Sequence, residues 1–221
     1  AKDTSKKIRA VFRNKGMSGQ RISTQTPYGY LRNEDGNLYV DEETAPNVRL
    51  IFQLCAEGNG PGKIARMLKE QVIPTPGTLE FQRTGRTRWY RPDDPCRWTP
   101  DTVAGILEQD SYLGRTSNFK FSRVSYKSKK KVENPPEKWV TFENTHEAII
   151  DVELWNAVQK IRSQRRRPTK MGEMGMFSGL TYCADCGAKL YHCRTGSWTY
   201  EQECYNCSTQ KSHKGCFGHY I

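Results

Sequence analysis

Six of the chain's eight cysteines fall between residues 183 and 216, and Cys183-Ala184-Asp185-Cys186 and Cys204-Tyr205-Asn206-Cys207 are both C-x-x-C pairs. No other feature limits the fold as tightly. This spacing lets two thiolates turn onto one cation while backbone N–H groups face the sulfurs, so it predicts a small metal-held module in a compartment that keeps thiols reduced. The ion such a site selects is Zn2+, bound tetrahedrally through sulfur. Cys183 and Cys186 supply the first two ligands. Spacing leaves the second pair open: Cys204 and Cys207 complete a generic C-x2-C-x17-C-x2-C ribbon, while Cys216 and His219 are also within reach. Unmetallated buried cysteines and a redox C-x-x-C compete with this reading, the second weakened because neither pair sits between a strand and a helix.

Ahead of the cysteines the sequence changes character. Of 221 residues, 35% are hydrophobic and 11% aromatic, which is core enough for one large or two small domains and excludes a disordered tail. The apolar runs are a few residues long, short of the roughly 18 to 20 a spanning helix needs, so no membrane span is expected. Lys and Arg number 35 against 24 Asp and Glu, a formal net charge of +11 that favours an anionic partner such as nucleic acid or an acidic membrane face. Ala1-Lys2-Asp3-Thr4 offers neither an initiator Met nor an apolar h-region. We therefore expect no signal peptide, a cytoplasmic location, and a chain cut from something longer.

Ile8, Val11 and Phe12 at i, i+3 and i+4, followed by Gly16, predict an amphipathic helix over 4–16 whose other face is basic. Asp35-Gly36 between Leu31 and Leu38-Tyr39-Val40 predicts a short hairpin. Pro46 with Val48, Ile51, Phe52 and Cys55, then Pro61 with Ile64, Ala65 and Leu68, predict two helices meeting at a glycine-rich turn. The second keeps Lys63, Arg66 and Lys69 outward. Thr99-Pro100-Asp101-Thr102 caps a third helix that carries Val103, Ile106 and Leu107 inward and ends near Asp110. Val72 to Trp98 is too long for a helix-turn-helix turn and reads as a loop or wing. Residues 112–142 alternate aromatic and basic positions, which suits an antiparallel pair joined by a basic tip from Lys127 to Pro136. A last helix opens at Asp151 and is stopped by Pro168. Within the cysteine module, a single strand carrying Trp198, Tyr200 and Tyr205 is expected to deliver Cys207. The fold class is α+β: a mixed helical and β domain with helix-turn-helix-like helices, followed by a small β zinc ribbon.

Four basic clusters stand out, Lys6 to Arg21, Arg83 to Arg91, Lys120 to Lys131 and Arg162 to Lys170. A single run of charge is usually a solvated face; four, three of them with aromatics among the cations, point to phosphate contacts. Trp98, Trp139, Phe142 and Trp155 are assigned to the core. No G-x-S-x-G, Walker or H-E-x-x-H pattern is present, and three of the four histidines lie in the cysteine module. His146, in Asn144-Thr145-His146-Glu147, reads as a hydrogen-bonded structural histidine. By itself the chain is expected to perform no chemistry.

Taken together, Pro27-Tyr28-Gly29-Tyr30, Ile51-Phe52, Ile64-Ala65-x-x-Leu68, Ile73-Pro74-Thr75-Pro76-Gly77, Trp98-Thr99 and Tyr112-Leu113-Gly114 resemble the DNA-binding domain of large serine recombinases. Asn144-Thr145-His146-Glu147-Ala148-Ile149-Ile150-Asp151 is similar to its C-terminal part, and Phe177-Ser178-Gly179-Leu180, the first cysteine pair and Cys216-x-x-His219-Tyr220-Ile221 are similar to the family's zinc ribbon. The resemblance implies the DNA-recognition part of a site-specific recombinase whose serine nucleophile belongs to an N-terminal catalytic domain outside this sequence. It divides the chain into 1–26 (end of a connecting helix and linker), 27–165 (recombinase DNA-binding domain), 166–176 (linker) and 177–221 (truncated zinc ribbon).

It also implies the zinc ligands Cys183, Cys186, Cys207 and Cys216, which leaves Cys193 and Cys204 outside the set. The partner implied is double-stranded DNA at attachment or transposon-end sites, with a parent that is a dimer or tetramer on DNA and this part a monomer. The third helix would enter the major groove with the Arg83–Arg91 wing beside it. The expected DNA-binding residues are Lys63, Arg66, Arg83, Arg86, Arg88, Arg91, Thr99, Thr102, Gln109, Lys129, Lys130, Lys131, Arg165, Arg166 and Arg167. The alternatives are a zinc-ribbon transcriptional regulator with no recombinase parent and a basic RNA-binding protein.

Overall fold

The computed structural model describes residues 2–123, 130–163, 171–211 and 216, and the chain divides into two compact units, 1–158 and 159–221. The first unit opens with α1 (Lys2–Met17). Ile8, Val11 and Phe12 are 52%, 54% and 48% exposed, so the stripe that marks this helix in the sequence does not dock it. Its C-terminal end does. Buried Asn118 donates from Nδ2 to the carbonyls of Gly16 (3.1 Å) and Gln20 (2.9 Å), and its Oδ1 accepts from Ile22 N (3.3 Å). Gly16 is needed there because a Cβ would sit 2.3 Å from the Phe119 ring.

Strands β1 (Tyr30–Arg32) and β2 (Leu38–Val40) form the expected hairpin, with Tyr30 opposite Val40. Helices α2 (Ala45–Ala56), α3 (Pro61–Glu70) and α5 (Pro100–Leu107) then pack on one another. Val48, Ile51, Phe52, Ile64, Leu68, Val103 and Leu107 have no exposed surface, each contributing about 1.5–3 kcal/mol over an exposed position. Tyr112, in a short 3-10 turn (Asp110–Leu113), fills the centre and donates its hydroxyl to Tyr28 O (2.8 Å). From α6 (Val152–Ser163), Trp155 stacks on Phe52 with ring centroids 5.7 Å apart, and Val158 is fully buried. His146 is structural, as its sequence neighbours suggested: Nε2 lies 2.7 Å from Ser111 O and Nδ1 2.9 Å from Thr145 Oγ1, and burial holds its pKa below the usual imidazole range.

Two expectations for the elements of this unit change. The Val72–Trp98 segment contains a helix, α4 (Pro76–Thr84), capped by Thr75. The 112–142 pair is two short ladders in series, β3 (Thr116–Asn118) with β6 (Val140–Phe142) and β4 (Phe121–Arg123) with β5 (Lys131–Glu133). The ladder breaks at Phe119, whose φ of 61° is left-handed, and Asn134 bridges the break by donating Nδ2 to Phe119 O (2.7 Å) and N to Lys120 O (2.9 Å).

In the second unit, β7 (Leu190–Cys193) pairs antiparallel with β8 (Cys204–Cys207), and a short helix α7 (Ser208–Lys211) follows. Trp198 and Tyr200 do not share a strand with Tyr205. Tyr200–Gln202 is a 3-10 turn closed by a capping box with Thr199, whose N donates to Gln202 Oε1 (2.8 Å). Among the described residues no helix is long and apolar enough to cross a membrane.

Candidate nucleic-acid interface and metal centre

A repeated tetrad builds the first unit's groove. Thr75-Pro76-Gly77-Thr78 and Thr99-Pro100-Asp101-Thr102 start α4 and α5 in the same way. In each, the N-cap threonine Oγ1 accepts from the backbone N of the second threonine (3.3 and 3.2 Å), and the two hydroxyls lie 2.9 Å apart. Proline at N1 costs nothing, because that N–H has no helical partner. Thr78 Oγ1 also donates to Pro95 O (2.6 Å), tying the return segment to the start of α4.

Both helix N-termini and the β1–β2 hairpin border a cavity of about 1020 Å³. Arg32, Arg83, Arg86, Arg88, Arg91 and Arg97 line it, with the indole of Trp89. Backbone N–H groups at helix starts and open guanidinium groups both favour phosphate.

The arginines are not equivalent. Arg83 Nη1 is 2.7 Å from Asp41 Oδ2, its Nη2 pairs with Glu43, and Asp41 is buried. Burial pushes the Asp41 carboxyl up, but hydrogen bonds from Arg83 and Thr44 outweigh it and hold the pKa below the ordinary carboxylate value. Arg86 lies 3.6 Å from Glu80 across an exposed surface, a pair worth little. Arg88 sits over the Trp89 ring, 4.9 Å from its centroid. Arg91 and Arg97 are exposed and, among the described residues, have no acidic partner.

Of the residues expected to bind DNA, Arg83, Arg86, Arg88, Arg91, Thr99 and Thr102 line this one groove. Lys63, Arg66 and Gln109 do not: Lys63 and Arg66 lie on the exposed face of α3, Arg66 within 3.8 Å of Glu70, and Gln109 is half-buried at the start of the 3-10 turn. Lys130 and Lys131 are exposed at β5. Lys129, Arg165, Arg166 and Arg167 lie outside the described residues. Sequence reasoning missed Arg32, Arg97 and Thr75. For Thr75 the signal was present, since its tetrad repeats the one read correctly at Thr99.

In the second unit four sulfurs converge. Cys183 Sγ is 3.8 Å from Cys216 Sγ, Cys186 Sγ is 3.5 Å from Cys207 Sγ, and all four lie within 4.8 Å of one another. A tetrahedron with metal–sulfur bonds of about 2.3 Å has edges near 3.8 Å, so the arrangement fits a tetrahedral cation. It is far from the ~2.05 Å of a disulfide. Gly187, at φ 67°, turns the first knuckle, and its N donates to Cys183 O (2.9 Å). The N–H groups of Gln210 and Thr209 and the neighbouring thiols pull the buried Cys207 thiol down to about 6, against the opposing effect of burial. Cys204 is not in the cluster. His219 lies outside the described residues.

A family model described as Recombinase matches residues 42–165, more than half of the chain. The chain belongs to the Recombinase family. The matched region holds α2 to α6 and the groove's wall from Thr44 to Thr102, while the wall from Thr24 to Arg32 and Asp41 precede it. Uncharacterized protein YefB of Bacillus subtilis (strain 168) is 27% identical over 127 residues, which is 57% of this chain and 40% of that protein. Among solved structures, a crystal structure of an LSR–DNA complex is 21% identical, with a TM-score of 0.52 over 97% of this chain and 61% of that one. That likeness bears out the mixed α+β fold. A second structure, from work on the sequence requirements of the Listeria innocua prophage attP site, is 20% identical with a TM-score of 0.46, over 96% of this chain and 79% of that one. The Recombinase chain thus spans two fifths of its curated relative and three fifths of the solved chain it follows best of these two.

Proposed function

We propose that the chain binds double-stranded DNA at recombination sites, as the DNA-recognition part of a large serine recombinase. One observation carries the reading: within the matched Recombinase region, two capped helix N-termini and a row of arginines meet at a single groove. Helix starts and guanidinium groups position a sugar–phosphate backbone, and α5 then lies next to base edges. The description of a structural relative as a DNA complex supports the same partner. Family membership favours this over a zinc-ribbon regulator with no recombinase parent. Strand cleavage and rejoining, and assembly as a dimer or tetramer on DNA, belong to the whole recombinase under this reading.

The second unit takes Zn2+ at Cys183, Cys186, Cys207 and Cys216, supported by the sulfur spacing and the all-thiol donor set. The ion's part is structural: it would hold the knuckle against the β7–β8 hairpin. Four thiols available to a cation fit a cytoplasmic, reducing compartment. Residues 27–165 form the main DNA-binding domain, 177–221 the ribbon and 166–176 the tether, so that each binds at the other's effective concentration. The test is competition between duplex DNA, duplex RNA and single strands in a salt series. Preference for duplex DNA supports the reading; equal or better binding of RNA overturns it.

A further inference from the structure

A second pair of thiols stands apart from the metal cluster. In the β7–β8 ladder Cys193 is directly opposite Cys204. Ser208 N donates to Lys189 O (3.1 Å), so 189–208 is a hydrogen-bonded rung, and alternation makes 191–206 and 193–204 rungs of the same kind. Cα atoms in such a rung lie ~5.5 Å apart, inside the ~4.4–6.8 Å that a disulfide spans.

Side chains directly opposite share a face of the sheet, and successive rungs alternate faces. Cys193 and Cys204 therefore stand on the face with Tyr191 and Asn206, while Leu190, His192, Tyr205 and the metal ligand Cys207 take the other. Neither thiol joins the four-sulfur group. Both residues are half-buried, and Cys193 Sγ donates to Tyr191 O (3.5 Å). The chain between them, 194–203, is already drawn together at its ends, with Arg194 Nε 3.0 Å from Glu203 Oε1.

We propose that Cys193 and Cys204 form a dithiol site for low-molecular-weight disulfides, glutathione disulfide being the type. One thiol loses its proton and attacks a sulfur of the small disulfide, forming a mixed disulfide and releasing one molecule of the small thiol. The other thiol, deprotonated in turn, attacks the protein sulfur of that mixed disulfide and releases the second small thiol. One protein disulfide forms, the two protein thiols give up two electrons to the small disulfide, and their protons end on the released thiols. The product is a covalent rung that fixes the register of β7 on β8 independently of the metal.

The full chain, supplied with zinc, is equilibrated in glutathione buffers from reduced to oxidised, quenched by alkylation and mapped by mass spectrometry, with bound zinc measured in parallel. In oxidised buffer the wild type should lose the mass of two hydrogens, yield a linked Cys193–Cys204 peptide pair and keep its zinc. Cys193→Ser and Cys204→Ser should each instead accumulate a glutathione adduct on the remaining thiol. The proposal is overturned if the wild type keeps a stable adduct on either residue, if linkage runs through Cys183, Cys186, Cys207 or Cys216, or if both thiols stay alkylatable in oxidised buffer.

Discussion

Arg83 shows how one side chain can read as a ligand contact in sequence and act as a strut in the fold. It sits in the run Arg83-Thr84-Gly85-Arg86-Thr87-Arg88-Trp89-Tyr90-Arg91, and nothing local marks it out from its neighbours. Its partners, Asp41 and Glu43, lie some forty residues earlier and reach it only through the fold. Removing Arg83 leaves Asp41 buried without its counter-charge. Arg83→Gln is therefore expected to cost about 1–3 kcal/mol of stability, discounted from a fully buried pair because Arg83 is partly exposed. The sign with pH follows from Asp41, whose folded pKa lies below its unfolded value near 3.9. Its contribution is complete above that unfolded value and is lost as pH falls through the folded one. Thermal melts at pH 7 and at progressively lower pH should show the gap between wild type and Arg83→Gln closing in acid; a constant gap would mean the pair is not what stabilises. Arg91 and Arg97 are the opposite case. Arg91→Gln and Arg97→Gln should leave the melting temperature unchanged and each lower the salt slope of DNA binding by about 1. A destabilised fold with an unaltered slope would place them in the structure instead of at the phosphates.

At the scale of elements, α2, α3 and α5 were legible because their apolar residues recur with helical period and proline and threonine mark their starts. The missed helix α4 obeys the same rule at its N-cap, but it buries only Thr78 and Leu79, too little apolar periodicity to stand out. Equal caps predict equal costs: Thr75→Ala and Thr99→Ala should each lose about 1 kcal/mol, measured by denaturant titration. A negligible loss at Thr75 would make α4 an accessory turn. The broken β3–β6 and β4–β5 ladders were not legible, since a left-handed Phe119 and a bridging Asn134 leave no trace in an alternating pattern. In the cysteine module, spacing named Cys183 and Cys186 but left the second pair open, because β-strand alternation is what turns Cys204 away from Cys207. Cys204→Ser should keep the metal, while Cys216→Ser should lose it and unfold the module, since binding energy in so small a unit is folding energy. Metal analysis and circular dichroism of the two proteins check this. Loss of zinc in Cys204→Ser with retention in Cys216→Ser would reverse the ligand assignment.

At the scale of the whole molecule, a net charge of +11 has to be neutralised by something. The groove of the first unit concentrates part of it where two helix starts add their N–H groups, and the Recombinase match covers both helix starts and the lining arginines from Arg83 to Arg97. Composition and the basic clusters made an anionic partner legible, yet not which cations are committed inside the protein, because ion pairs between distant segments cannot be read from charge runs. The central claim, that the open cations meet the phosphates of duplex DNA, is tested most directly by the salt dependence of binding. Fluorescence anisotropy on labelled duplexes between 50 and 200 mM salt should give a linear log–log plot with a slope of about −0.9 per phosphate contact, so roughly six to ten contacts weaken binding on the order of 10³-fold or more. A slope of magnitude below about 2 would mean that the arginine-lined groove is a solvated face and would contradict the account.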